Sequence, residues 1–220
     1  DKDSSLPHML PRPDAFAAAV GAMGIGDGMR IVVYDGLGLF SAPRVRWTFQ
    51  TFGAKDVVIL EGGMAQWLAE GRPVTDDPTP PRDRHFTARL DNTLVRSIDD
   101  VRGLIESKRE QIVDARAAGR FRGETPEPRA GLRSGHMPGA FNLPHARVVE
   151  NGRLLPPDQV RPIIEATGLD LARPVITSCG SGVSAAILWL ALESIGKRPQ
   201  ALYDGSWTEW GSSGKPIAVG

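Results

Sequence analysis

The sequence is short of cysteine, of net charge and of long apolar runs. Its 220 residues contain one cysteine, so the chain cannot form an internal disulfide or a metal site built from several cysteines. Basic and acidic residues number 26 each, which gives no electrostatic reason to expect nucleic acid or an anionic membrane as a partner. The longest apolar run, AAILWLAL at 185–192, is far shorter than the roughly 20 residues of a membrane span. These absences favour a globular protein of a reducing compartment, and we expect it in the cytoplasm.

The chain repeats itself. Residues 30–74 align without a gap with residues 173–217 at an offset of 143. The pairs that carry the alignment are Arg30/Arg173, Val32/Val175, Gly38/Ser181, Ser41/Ser184, Gly53/Gly196, Glu61/Asp204, Gly62/Gly205, Trp67/Trp210 and Pro73/Pro216. Each copy has the pattern of a strand, a loop of small residues, a helix, a second strand and a turn into an aromatic helix start. This βαβ pattern predicts a parallel sheet, and the repeat predicts two copies of one α/β domain.

The repeat divides the chain into three segments. A helix is predicted ahead of each copy, at 13–26 (PDAFAAAVGAMGIG) and at 157–170 (PDQVRPIIEATGLD). Between the copies, the stretch TDDPTPPRDRHFTARLDN is rich in proline and charge, a composition typical of a linker. We therefore place a first domain at 1–78, a linker at 79–92 and a second domain at 93–220.

The second copy is preceded by elements that the first copy lacks. A strand start, a helix and the strand QIVDAR are predicted upstream of it, followed by the Gly/Pro-rich stretch SGHMPGAFNLPH. The offset places the first copy's counterpart of Asp114 before residue 1. We therefore expect the first domain to be incomplete at its N-terminus. An N-terminal segment that is cleaved off, disordered or supplied as a separate chain would complete it.

The lone cysteine, Cys179, opens the loop CGSGVS between an apolar strand (PVIT) and an apolar helix. Such a loop gathers backbone N–H groups near a helix N-terminus, which favours an anion and therefore a thiolate. The alternative is a buried cysteine that only packs. The first copy has Gly36 at the equivalent position, whereas a packing role should appear in both copies. The position therefore favours a nucleophile.

Two reactions use a thiolate in a loop of this kind. Cysteine phosphatases need an arginine at the far end of the loop to hold phosphate through two hydrogen bonds. Here the loop ends in Ser184, Ala185 and Ala186, which argues against a phosphatase. The other reaction is sulfur transfer, in which the thiolate takes a sulfane sulfur and passes it on as a persulfide.

Several motifs resemble those of the two-domain sulfurtransferases of the rhodanese superfamily. They are HMLP, SAPRVRWTF and LEGGMAQW in the first half, and DARAAGRF, GHMPGA, CGSGVSA and LYDGSWTEW in the second. The resemblance covers essentially the whole chain and implies two tandem rhodanese-like domains, the first inactive and the second catalytic. Thiosulfate-specific members have basic residues after the cysteine. The neutral CGSGV loop is more similar to that of the 3-mercaptopyruvate sulfurtransferases.

The resemblance implies roles for residues that the sequence alone leaves ambiguous. Arg120 and Arg129 would otherwise be solvated loop arginines. Their counterparts in mercaptopyruvate enzymes bind the carboxylate and carbonyl oxygens of the substrate, a task that suits the guanidinium fork. His8 would otherwise be a surface histidine; its counterpart forms a proton relay with the loop serine, here Ser181, and with an aspartate. That aspartate would lie upstream of residue 1.

The remaining loop residues are expected to support the nucleophile. Gly180 and Gly182 let backbone N–H groups approach the sulfur closely. Val183 and Ser184 complete the loop, where Ser184 replaces the threonine that is usual in the family and keeps its hydroxyl. His136, in GHMPGA, is expected to be a framework residue rather than a base.

The resulting hypothesis is sulfur transfer from 3-mercaptopyruvate through a Cys179 persulfide, with release of pyruvate. The acceptor would be a thiol, such as thioredoxin, or cyanide, and the resemblance implies no metal and no organic cofactor. Two alternatives stay open. Thiosulfate:cyanide sulfurtransfer would favour a positively charged loop, and a non-catalytic rhodanese-type binding module would not need an intact cysteine loop.

Overall fold

The fold is α/β, with parallel strands flanked by helices, in a computed structural model that describes residues 1–78 and 82–220. The helices are α1 (Pro13–Ala22), α2 (Ala42–Thr51), α3 (Gly63–Ala69), α4 (Ile98–Ser107), α5 (Ala118–Arg122), α6 (Pro157–Glu165), α7 (Ala185–Ser194) and α8 (Ser206–Ser212). The strands are β1 (Ile31–Val33), β2 (Val57–Ile59), β3 (Val95–Arg96), β4 (Gln111–Asp114), β5 (Phe141–Asn142), β6 (Val149–Glu150), β7 (Arg153–Leu154), β8 (Val175–Ser178) and β9 (Ala201–Tyr203). Short 3-10 helices form at Asn92–Leu94 and His145–Arg147.

The larger sheet has five parallel strands in the order β3-β9-β8-β4-β5. Strand β8 lies at its centre, with Ile176 level with Ile112 of β4 on one side and with Ala201 of β9 on the other. All residues of β4, β8 and β9 are buried, as expected for parallel strands covered on both faces. The parallel sheet predicted from the βαβ pattern is confirmed.

The two sequence repeats have the same order of elements. In the first, β1, α2, β2 and α3 follow one another, and in the second, β8, α7, β9 and α8 do so. Strands β1 and β2 pair in parallel, with Ile31 level with Val57. The helices predicted ahead of each copy are α1 and α6. The sequence pattern therefore predicted the local structure of both copies.

The first repeat forms a sheet of two strands within the described residues, and that sheet is open. Val32 and Val58 are 52% and 40% exposed, whereas their counterparts in the second repeat, Val175 and Ala201, are fully buried. The difference has a structural cause. The second repeat has β4 and β3 beside β8 and β9, and the described chain provides no strands in the equivalent places beside β1 and β2.

The two repeats pack against each other through α2 and α7. Residues 185–192 of helix α7 are apolar on all sides, which suits a helix held between a sheet and another helix. Trp47 of α2 and Trp189 of α7 meet edge to face, with ring centroids 6.3 Å apart, and both side chains are buried. The helix AAILWLAL, too short for a membrane span, is thus the centre of the interface between the repeats.

Part of the predicted linker packs on the first repeat. Residues 79–81 lie outside the described residues. Beyond them, Phe86 is buried among aromatic rings of α1 and α2, with its ring centroid 5.6 Å from that of Phe16. The Thr87 hydroxyl donates to Asp27 at 2.6 Å. The second part of this segment is therefore attached to the first repeat rather than free in solvent.

No helix of the described chain is long and apolar enough to cross a membrane.

Candidate active site

Cys179 directly follows β8, the central strand of the five-stranded sheet. The carboxyl ends of parallel strands are where α/β proteins place their ligands. The thiol side chain is 1% exposed. Its backbone is held on both sides by the start of α8, because the Cys179 N–H donates to Ser206 Oγ at 3.2 Å and the Trp207 N–H donates to the Cys179 carbonyl at 2.9 Å. The backbone of Cys179 is therefore held in place by the junction of β9 and α8.

The first repeat shows what this type of loop holds. There, the backbone N–H groups of Leu37, Phe40, Ser41 and Ala42 all donate to the Asp35 carboxylate, at 2.8 to 2.9 Å. Partial burial opposes ionisation of Asp35, but these donors outweigh it and hold its pKa below the usual range. The loop between strand and helix is thus an anion cradle that is filled by a side chain of its own repeat.

In the second repeat the same cradle is free. The four donors correspond, at the offset of 143, to Gly180, Val183, Ser184 and Ala185. Within residues 1–78 and 82–220, none of these four N–H groups donates to a protein acceptor. Ser178 takes the place of Asp35, and Cys179 takes the place of Gly36. The loop therefore offers a set of unpaired donors to an anion beside the thiol.

Two arginines lie close to the glycines of this loop. A Cβ atom on Gly180 would lie 3.2 Å from Nη2 of Arg120. A Cβ atom on Gly182 would lie 2.9 Å from Nη1 of Arg44, and Gly182 has a φ of 81°, which side chains rarely adopt. Both glycines thus allow a guanidinium to approach the loop closely.

Arg120 is oriented by a buried ionic network. Its Nε and Nη2 donate to the two carboxylate oxygens of Glu127, at 3.1 and 2.6 Å. Glu127 also accepts from Arg116 at 2.9 Å, and Arg116 is paired with Asp114 at the end of β4. The side chains of Asp114, Arg116 and Glu127 are 1% exposed or less, whereas that of Arg120 is 26% exposed. Arg120 is therefore the solvent-accessible end of the network, beside the cysteine loop.

Arg129 is not oriented by an ionic network within the described residues. Its side chain is half-buried and makes no hydrogen bond or ion pair with the described residues. Its backbone carbonyl accepts a long hydrogen bond from Leu132, at 3.5 Å. Arg120 is thus brought to the cysteine loop by named contacts, and Arg129 is not.

His8 and Ser181 are brought together across 173 residues of sequence. The Nδ1 atom of His8 lies 3.0 Å from Ser181 Oγ, within hydrogen-bond distance. Ser181 is buried and His8 is exposed, so the pair links the loop to the solvent side of the site. Ser184 caps α7 without a side-chain hydrogen bond, and Val183 is half-buried beside it. His136 stacks on Phe121, with ring centroids 3.8 Å apart, as a framework residue would.

A family model for the rhodanese-like domain matches residues 97–213, which contain the cysteine loop, Arg120 and Arg129, and strands β4, β5, β8 and β9 of the five-stranded sheet. The chain belongs to the rhodanese family. Among curated rhodanese relatives, it is 39% identical to human 3-mercaptopyruvate sulfurtransferase, with 100% of the chain and 75% of that protein covered. It is 45% identical to bovine thiosulfate sulfurtransferase, with 96% and 72% covered. It is 42% identical to 3-mercaptopyruvate sulfurtransferase of Escherichia coli K12, with 96% and 75% covered.

Solved structures agree with this rhodanese assignment. The Tum1 protein from Saccharomyces cerevisiae superposes with a TM-score of 0.89 at 33% identity, covering 100% of this chain and 79% of its own. SseA from Escherichia coli, described as a 3-mercaptopyruvate sulfotransferase, gives a TM-score of 0.85 at 39% identity, covering 94% and 78%. The α/β fold inferred from the repeat is therefore the rhodanese fold.

Three residues of the rhodanese site were missed by the sequence analysis: Glu127, Arg44 and Asp204. Asp204 accepts from Arg44 at 2.5 Å, and Glu127 holds Arg120. A signal for two of them was present, because Arg44 and Asp204 lie inside the motifs SAPRVRWTF and LYDGSWTEW. Charged residues within otherwise apolar, aromatic motifs are candidates for buried ion pairs.

Proposed function

We propose that the protein transfers sulfur from 3-mercaptopyruvate through a persulfide on Cys179. The observation that carries the proposal is the free cradle of N–H groups at Gly180, Val183, Ser184 and Ala185, placed next to the one thiol of the chain. The Asp35 carboxylate occupies the equivalent cradle of the first repeat, which supports the view that such a loop stabilises an anion. The names of the human and E. coli relatives support the donor.

The chemistry balances without an added oxidant or reductant. The Cys179 thiolate attacks the sulfur of 3-mercaptopyruvate, a new S–S bond forms, and the C–S bond of the donor breaks. Its electron pair leaves with the carbon fragment as pyruvate enolate, which takes up one proton to give pyruvate. A thiolate acceptor then attacks the outer sulfur of the persulfide and releases Cys179. The contact between His8 and Ser181 supports delivery of the proton through these two groups.

Substrate recognition is assigned to the arginines. Arg120 has N–H groups left over after its two bonds to Glu127, lies beside Gly180 and is partly accessible, which fits a carboxylate or carbonyl oxygen of the donor. We keep Arg129 as a second candidate on the strength of the family resemblance. Its guanidinium is not committed to another described residue.

We further propose the cellular setting and the division of the chain. The acceptor is a small thiol or a thiol protein such as thioredoxin, with cyanide as an alternative, and the compartment is the cytoplasm. The division into 1–78, 79–92 and 93–220 is retained, with the nucleophile in the last segment.

Persulfide formation on Cys179, detected as the added mass of one sulfur atom after treatment with the donor, tests the function. A chain that takes up no sulfur would instead be a binding module.

Thiosulfate is the second candidate donor, because the bovine thiosulfate enzyme is 45% identical to this chain. We expect 3-mercaptopyruvate to be preferred, since the loop CGSGVS has no basic residue and thiosulfate is a dianion. Ser181→Lys should lower the ratio of kcat/KM for mercaptopyruvate over thiosulfate by about tenfold or more, because a charge-assisted hydrogen bond is worth about 1.5–3 kcal/mol. Ser181→Met is the matched control, since it also removes the hydroxyl but adds no charge. A wild-type protein that prefers thiosulfate at equal concentrations would reverse the assignment of the donor.

An N-terminal segment is expected to cover the open sheet of the first repeat. Val32 and Val58 are exposed where the second repeat buries Val175 and Ala201, and the curated relatives extend beyond the aligned region. Open strand edges with apolar side chains favour association. Residues 1–220 expressed alone should therefore be less stable and more prone to self-associate than the same chain joined to, or mixed with, the upstream segment. Light scattering and thermal unfolding test this. A monomeric 1–220 chain with a cooperative transition and full activity would contradict it.

A further inference from the structure

We infer that Arg44 and Asp204 form a clamp that holds His8 against the cysteine loop, and that the clamp contributes to sulfur transfer by setting the contact between His8 and Ser181. The inference rests on the proposed function, in which His8 and Ser181 deliver the proton. Arg44 and Asp204 are positioning residues in this assignment, because they act through His8.

The clamp holds the backbone at His8 and two residues after it. Nη2 of Arg44 donates to the His8 carbonyl at 2.8 Å, and the Leu10 N–H donates to Oδ2 of Asp204 at 2.9 Å. The same Nη2 also bonds Oδ1 of Asp204 at 2.5 Å, so one ion pair holds both points. His8 has a φ of 63°, in the left-handed region that non-glycine residues adopt only when neighbouring contacts impose it. The two bonds hold the chain at the carbonyl of this residue and two residues later.

The clamp also reaches the cysteine loop. Nη1 of Arg44 donates to the Gly182 carbonyl at 3.3 Å, and Asp204 itself follows β9, the neighbour of β8, after which Cys179 lies. One guanidinium thus contacts the segment that bears His8 and the loop that bears Ser181. Arg44 therefore links the backbone of the two segments that carry His8 and Ser181.

The clamp is buried and tightly packed. The side chains of Arg44 and Asp204 are 9% and 5% exposed, and the guanidinium lies 4.5 Å from the ring centroid of Trp47. Planar stacking on an aromatic ring restricts the orientation of the guanidinium. A restricted guanidinium can hold its partners in one geometry, which a solvent-exposed pair cannot.

The internal repeat shows that the pair is not part of the pattern that the two copies share. At the offset of 143, the counterpart of Arg44 is Ile187, a buried apolar residue. The counterpart of Asp204 is Glu61, whose side chain is 76% exposed and lies 3.8 Å from Arg153. Neither copy contains the pair within itself. The clamp exists only between the copies, at the place where His8 meets the loop.

A double-mutant cycle tests the clamp, with kcat for pyruvate release as the readout. His8→Ala should lower kcat by about 100-fold, a typical loss for a proton-transfer group. Asp204→Asn should lower kcat by about tenfold, because a displaced group loses efficiency steeply with distance. In the His8→Ala background, Asp204→Asn should cause little further loss, since the residue through which it acts is gone. KM for the donor should change much less than kcat in each variant.

Glu193→Gln is the matched control. Glu193 of α7 pairs with Arg46 of α2 at 2.6 Å, so it is another ion pair between the repeats, but it has no contact with His8 or the loop. It should leave kcat within about twofold of wild type, as expected for a pair remote from the reacting groups. If Asp204→Asn fails to fold by thermal unfolding, Arg44→Lys replaces it, because lysine keeps the charge and loses the fork.

The outcomes separate the clamp from the function. The clamp is refuted if Asp204→Asn lowers kcat by the same factor in the wild-type and His8→Ala backgrounds. It is also refuted if either Asp204→Asn or His8→Ala leaves kcat unchanged. The same holds if Glu193→Gln lowers kcat as much as Asp204→Asn does. A wild-type protein that forms no persulfide refutes the proposed function itself, and the clamp's part in it as well. If the wild-type protein turns over the donor but the losses of kcat from His8→Ala and Asp204→Asn are additive, the clamp alone is refuted.

Discussion

Replacing Cys179 with serine should abolish turnover of 3-mercaptopyruvate and persulfide formation while the protein remains folded. Serine is close to cysteine in size, but its side chain ends in oxygen and cannot form the sulfur–sulfur bond of a persulfide, so the transferred sulfur has no carrier. The backbone contacts of Cys179 with Ser206 and Trp207 do not involve the thiol and are kept. We expect the free energy of unfolding to change by about 1 kcal/mol, an ordinary value for a point mutation.

Mass spectrometry and a pyruvate assay check this expectation on the same samples. Because the chain has one cysteine, any persulfide found on the wild-type protein belongs to Cys179. Ser178→Ala, one residue earlier, is a suitable control, since the only side-chain hydrogen bond of Ser178 in the described chain is a long one to Ser206 at 3.5 Å. Sulfur transfer by a folded Cys179→Ser protein would remove the nucleophile assignment.

Replacing Arg120 with alanine should lower kcat/KM for 3-mercaptopyruvate by roughly 10- to 150-fold, mainly through a higher KM. The estimate follows from about 1.5–3 kcal/mol for a charge-assisted hydrogen bond to the donor's oxygens. In this variant Glu127 would keep its bond to Arg116 at 2.9 Å, so its buried carboxylate would still be paired with a positive charge. Arg120→Lys should rescue only part of the loss, because an ammonium group cannot bond Glu127 and the substrate with the same planar geometry.

Arg122 provides the matched control for this experiment. It lies two residues further along α5 and pairs with Glu124 through two bonds of 2.7 Å, but both partners are exposed. Arg122→Ala removes the same kind of side chain and ion pair without touching the cysteine loop. It should leave kcat/KM within about twofold of wild type, since exposed pairs contribute little. Equal losses in the two variants would show that Arg120 acts through general electrostatics or stability rather than through the substrate.

The elements of the fold could be predicted because each depends on a local pattern. The runs VIT and AAILWLAL mark β8 and α7, and the repeat extends the same interpretation to β1 and α2. Phe86 shows the limit of such patterns. It is one aromatic residue in a stretch rich in proline and charge, and its burial depends on rings of α1 and α2 that lie more than thirty residues away in sequence.

The sequence alone singles out Cys179 as a candidate nucleophile, but it does not indicate the contacts that position the residues around it. Cys179 stands out because it is single and absent from the first repeat. The contact of His8 with Ser181 was suggested by family resemblance, since no spacing rule connects residues 173 positions apart. Arg44 and Asp204 are 160 positions apart, and nothing in either motif indicates its partner. Ion pairs between two repeats depend on how the repeats dock, which a local pattern does not contain.

The Asp35 carboxylate affects which mutations could give the first repeat a thiol site like that of the second. A single change of Gly36 to cysteine would restore a thiol at the place equivalent to Cys179, yet its surroundings would differ. The N–H groups of Phe40, Ser41 and Ala42 are already saturated by a resident negative charge, which would repel a thiolate and an anionic donor alike. Reproducing in the first repeat the arrangement of the second, a thiol beside a free set of N–H donors, therefore requires loss of Asp35 together with gain of the cysteine. Neither change alone supplies both parts, so one mutation does not recreate the site of the second repeat.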